Sequence, residues 1–127
     1  MNEVLGETVS DRFWMIVERA HGQASELKRI LWEMSEAEVA RFHEEFVRTA
    51  SVLRGDPFAA LMGDEVSEDG LMDIAYWVVA QGRAFYENIL RHPEEIPRGV
   101  DDNDPAIMYH VTSVVFRERF GKKLDFF

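Results

Sequence analysis

The 127-residue chain has no cysteine. That excludes a disulfide framework, a thiol nucleophile and any thiolate metal site, and it fits a reducing compartment such as the cytoplasm. Nowhere do about 18 apolar residues run together, so no helical membrane span is expected. Met1 to Glu7 carry neither a basic start nor an apolar run suited to a signal peptide. Positive charge is scarce: 14 lysines and arginines face 24 acids, for a formal net charge of −10. Such a surface repels phosphate backbones and anionic lipid, so neither nucleic acid nor a membrane is an expected partner. A basic protein is the partner it suits. No serine sits in a G-x-S-x-G elbow, and no glycine-rich strand–helix turn suggests a nucleotide fold. The histidines, His21, His43, His92 and His110, form no H-x-x-x-H or H-E-x-x-H pair. No metal or cofactor is expected.

What remains is an ordinary globular composition, 46% hydrophobic and 30% charged, which argues against wholesale disorder. The length suits one domain, hiding roughly 68% of the surface its unfolded chain would expose. The expected organisation is a flexible leader over 1–9, one helical domain over 10–121 and a short tail over 122–127.

The strongest pattern runs from Ser67 to Arg91. Leu71, Ile74, Ala75, Val78, Gly82, Phe85 and Ile89 form one apolar stripe at helical spacing. Met72, Tyr76, Val79, Tyr86 and Leu90 form a second beside it. A helix continuous through Gly82 is therefore expected at the centre, with the others packed around it.

Upstream, Ser10 is placed to cap a helix carrying Phe13, Val17 and Ala20, which Gly22 breaks. Leu27, Ile30, Leu31 and Met34 give a second helix its apolar face. Ser35 and Glu38 form a capping box for a longer helix, with Val39, Phe42, Phe46, Val47, Ala50 and Leu53 inward. Arg41, Glu44, Glu45 and Arg48 are assigned to its outer face. Asp56 and Pro57 read as a cap and first turn of a short helix ending at Gly63. Beyond the surface loop at 92–99, Asp104 and Pro105 repeat that signal. Ile107 to Phe116 is read as the last helix, closed by Gly121. The fold class is all-α, a compact bundle of about five or six helices around a central one.

Few residues suggest chemistry. His43, four residues from both Val39 and Val47, lies on an apolar face and reads as a buried histidine satisfied by a neighbour. Asp101, Asp102 and Asp104 lack the oxygen spacing, mid-loop glycine and closing glutamate of an EF-hand. Ser67-Glu68-Asp69-Gly70 fits two readings: a cap with acids in the first turn, or acids facing a cleft that binds a cation, amine or hydroxyl. Gln81-Gly82-Arg83 also fits two. Arg83 falls on the second stripe and needs a carboxylate or a bound anion, with Glu87 one turn away.

Three segments together resemble a known family: Asp11-Arg12-Phe13-Trp14, Ser67-Glu68-Asp69-Gly70 and Tyr76-Trp77-Val78-Val79-Ala80-Gln81-Gly82-Arg83. They are similar in order and spacing to the D-x-F-W, S-D-D-G and W-L-I-x-Q-G-R patterns of the bacterial family catalogued as domain of unknown function 4240. The resemblance covers roughly residues 11–93. It implies a compact helical fold and brings no established activity. It does draw attention to Ser67, Asp69, Gly70, Gln81, Gly82 and Arg83.

The expectation from the residues is a bacterial cytoplasmic protein that serves as a non-enzymatic acidic interaction or regulatory module. The alternative is a small-ligand or enzymatic site near the Ser67–Gly70 turn, formed by Ser67, Asp69, Trp77, Gln81 and Arg83, with no catalytic residue assigned. Trp32 and the tail Leu124-Asp125-Phe126-Phe127 leave room for a homo-oligomer.

Overall fold

The computed structural model describes residues 10–63, 66–100, 104 and 107–123. The expected leader, the aspartates Asp101 and Asp102, and the tail 124–127 lie outside the described residues. Among the described residues the chain is all-α, with seven α-helices and no strand. These are α1 (Asp11–Ala20), α2 (Ala24–Trp32), α3 (Glu36–Ser51), α4 (Phe58–Met62), α5 (Glu68–Ala80), α6 (Arg83–Arg91) and α7 (Tyr109–Phe120). None of them is long and apolar enough to cross a membrane.

Local chemistry sets most of the helix starts. Ser10, Ser35 and Ser67 are extended at the N-caps of α1, α3 and α5, and each hydroxyl accepts the amide three residues on. At Ser35 the box is complete, because the Glu38 carboxylate also accepts the Ser35 amide at 2.9 Å. Left-handed His21 and Gly22 end α1, and Gly121 closes α7 in the same way.

The core is an aromatic path across four helices. Phe13 of α1 meets Phe42 of α3 at 5.0 Å between ring centroids, and Phe46 of α3 meets Tyr76 of α5 at 5.1 Å. Tyr76 stacks on Tyr109 of α7 at 4.7 Å. A branch joins Trp14 to Tyr86 of α6 at 5.4 Å. Offset and edge-on aromatic pairs of this kind add to the stabilisation that their buried area provides.

Four expectations are corrected. The helix expected through Gly82 breaks there: α5 ends at Ala80 and α6 begins at Arg83, because Gly82 adopts φ +107°, outside any helical region. The centre is shared rather than held by residues 71–90, since α3 packs against α1, α5 and α7. Asp56 makes no cap: α4 starts at Phe58 after Pro57 with no side-chain hydrogen bond at its N-terminus. Glu45 is not on the outer face. Its side chain is only 12% exposed and accepts from the Ser10 amide at 3.3 Å and hydroxyl at 3.1 Å. A carboxylate of α3 thus meets the positive end of α1.

Candidate functional site

The five candidate residues do not converge. Ser67 and Asp69 stand exposed at the start of α5, whereas Gln81 and Arg83 lie beyond its other end. At 1.5 Å of rise per residue, those ends are about 20 Å apart. At the first end, Ser67 Oγ accepts the Gly70 amide at 3.1 Å. Gly70 itself is a packing position, because a Cβ there would stand 2.8 Å from the Val66 side chain.

Trp77 lies part-way along α5, with its indole N–H donating to Asp104 at 3.3 Å and its ring edge-on to Phe85. Gln81 Nε2 donates to the Trp77 carbonyl at 3.2 Å, which ties the last turn of α5 to itself.

Around Gly82 the chain builds a junction between α1 and α6. Glu18 of α1 accepts the Arg83 amide at 3.1 Å, placing a carboxylate at the positive N-terminus of α6. A Cβ at Gly82 would sit 3.4 Å from Glu18 Cγ, so the close approach and the positive φ both select glycine. The Arg83 guanidinium donates to Asp11 at 2.9 Å and to Glu87 at 3.1 Å. Glu87 first, then Asp11, hold that guanidinium above its already high ordinary pKa. The Arg83 side chain is 41% exposed, so the pairing orients more than it stabilises. Two of the sequence motifs, at Asp11–Trp14 and Gln81–Arg83, therefore meet as one structural joint.

Sequence reasoning missed Glu18, Glu45, Thr112 and Arg119. The one local signal was that Asp11 and Glu18 are two turns apart, on one face of α1. His43, fully buried, bonds through Nδ1 to the hydroxyl of buried Thr112. That hydroxyl also donates to the Tyr109 carbonyl at 3.1 Å, so Thr112 links His43 of α3 to the first turn of α7. Arg119 of α7 donates to the carbonyls of Leu31 and Met34 just past α2, placing a cation at the negative end of that helix. Lys28 and Arg119 both lie over the ring of Trp32, which is 42% exposed. The buried phenol of Tyr86 donates to the Thr49 carbonyl at 2.9 Å, and burial raises its pKa.

The surface carries three relevant hollows. One, of about 320 Å³, lies beside Gln81 and includes Glu18 and His21. A second, of about 270 Å³, has Phe13, Ile16, Met34 and Phe42 as its apolar wall, and its carboxylates Glu38 and Glu45 are engaged by Arg12 and Ser10. The third, of about 470 Å³, runs along α1 and α2 and shares Arg12, Ile16 and Met34 with the second. Away from these, His92, Glu94 and Glu95 bring one potential ligand atom each within 4.8 Å of one another on an exposed turn. Exposed groups of that kind are common without an ion.

A family model described as protein of unknown function (DUF4240) matches residues 9–121. No curated protein and no solved structure matches the chain.

Proposed function

The chain belongs to that family of unknown function, and from this premise we propose that it is a non-enzymatic interaction or regulatory module of the bacterial cytoplasm. It holds another protein against its surface rather than turning over a substrate. One observation carries the reading. The polar residues that the sequence singles out complete helix caps and the α1–α6 joint, while the apolar hollows open on the surface of α1–α3. The net charge of −10 supports steering of basic proteins toward the chain over a Debye length.

The test is capture of cytoplasmic proteins on the immobilised full chain at about 50 mM and about 500 mM salt, with reciprocal binding of the purified hit, because electrostatic encounter weakens as screening grows. One protein retained stoichiometrically at low salt and released at high salt is the expected result. A low-salt eluate with no specific protein sinks the reading.

The ligand-site alternative has one observation in its favour, the hollow of about 320 Å³ where Gln81 meets Glu18 and His21. It is checked by thermal unfolding against metals, nucleotides and metabolites. A ligand at about 100 times its dissociation constant stabilises by roughly 2.7 kcal/mol. A shift in the parent that disappears in a folded Arg83→Ala variant would favour this alternative.

A further inference from the structure

Sulfur occurs in this chain as thioether alone, because there is no cysteine. Six methionines carry it, of which Met1 lies outside the described residues. Met34, Met62 and Met108 belong to the core, at 8%, 1% and 0% exposed, and Met72 packs partly buried against it. Met15 differs. It is 53% exposed, the most open of the large hydrophobic side chains among the described residues. Helical geometry explains the placement: Phe13, Trp14, Ile16, Val17 and Ala20 form the buried face of α1. Met15 is left on the outward face with Arg12 and Arg19, one turn to either side. A thioether there adds little to burial and offers its sulfur lone pairs to solvent.

From this contrast we propose that Met15 is a reversible oxidation site, with hydrogen peroxide as oxidant and methionine sulfoxide reductases as the enzymes that restore it. The Met15 sulfur attacks one peroxide oxygen. The S–O bond forms as the O–O bond breaks, and the hydroxyl proton passes to the departing hydroxide, which leaves as water. Sulfur loses two electrons and the peroxide gains them. Two thiols reverse the step through the reductase, giving a disulfide and water. The sulfoxide is polar and chiral. At Met15 it stands in water at the edge of the hollow between α1 and α2, so the outer face of α1 changes polarity while the core stays packed. The same change at Met34, Met62 or Met108 would force a polar group among apolar side chains and oppose the fold. Oxidation at Met15 needs no partner protein, so failure of the interaction-module reading leaves it intact.

The test is peptide mapping by mass spectrometry on the folded full chain during exposure to hydrogen peroxide, with Met15→Leu beside the parent. Met15 should gain one oxygen at least about tenfold faster than Met34, Met62 or Met108, and ahead of Met72. The chain oxidised at Met15 should melt within about 2 °C of the untreated parent, as expected of a change on an exposed helix face. The two reductases, one for each sulfoxide epimer, should return Met15 to the thioether in the folded chain when supplied with a dithiol. Equal rates at Met15 and the buried methionines overturn the proposal. So does a peroxide-dependent fall in midpoint that Met15→Leu abolishes, or a Met15 sulfoxide that both reductases leave in place.

Discussion

At Gly82 the backbone takes φ +107° and ψ 171°, a conformation reached at low cost only by glycine. Gly82→Ala is expected to lose about 1–3 kcal/mol from this strain. The crowding against Glu18 acts in the same direction. In a domain of this size that lowers the melting midpoint by about 4–11 °C. An unchanged midpoint in a calorimetric scan would show that the joint relaxes without cost. Thr112→Val removes the hydroxyl that bonds Nδ1 of the buried His43, at a cost of about 1–3 kcal/mol. Thr112→Ser keeps the hydroxyl and loses only a methyl, so denaturant titration should rank Ser above Val. The reverse order would mean that the hydrogen bond contributes nothing. At this scale the sequence was legible wherever a contact is local. Ser10, Ser35 and Ser67 each bond an amide three residues on, and caps of that reach can be read directly. Glu18 reaching Arg83 and Glu45 reaching Ser10 span 65 and 35 residues. Nothing in the linear order announces such pairs.

Among the elements, α3 begins on a reciprocal cap whose stability depends on pH. The Ser35 backbone amide first, then Arg12, hold the Glu38 carboxyl below the ordinary carboxylate range. A folded pKa below the unfolded one contributes stability above the unfolded value and loses it as pH falls through the folded value. Unfolding midpoints should therefore fall between about pH 5 and about pH 3, and Glu38→Gln should make that slope shallower. An identical slope would place the acid sensitivity elsewhere; Glu26, similarly lowered by Arg29, is the next group to change. Ser35→Ala at neutral pH should cost about 1 kcal/mol, the usual value of an N-cap. Periodicity located six helices, and the seventh arises only because Gly82 splits the longest stripe. Hydrophobic spacing cannot see that break, since Ile89 stays buried on its far side. Two stretches kept a similar apolar face across a change of direction. For the same reason apolar spacing starts α7 near Ile107, although the helix begins at Tyr109.

For the whole molecule, an excess of ten negative charges opposes compaction, and screening it should help folding. The melting midpoint is expected to rise as salt goes from about 10 mM to about 150 mM, where the Debye length shrinks from about 30 Å to about 8 Å. A falling midpoint would mean that the surface ion pairs outweigh the repulsion. The all-α class was legible at this scale because apolar spacing and caps agreed along most of the chain. The hollow along α1 and α2 was not, because its residues come from two helices whose faces meet only after folding. The placement of Trp32 has an optical consequence. Its ring is open to water and overlaid by Lys28 and Arg119, whereas Trp14 is buried and Trp77 borders the carboxylate of Asp104. Iodide, drawn to the two cations and repelled elsewhere, should quench the red-shifted emission of Trp32 before the other two indoles. Caesium should favour Trp77 instead. The chain thus carries its own spectroscopic marker at the end of α2, read in light without any attached dye.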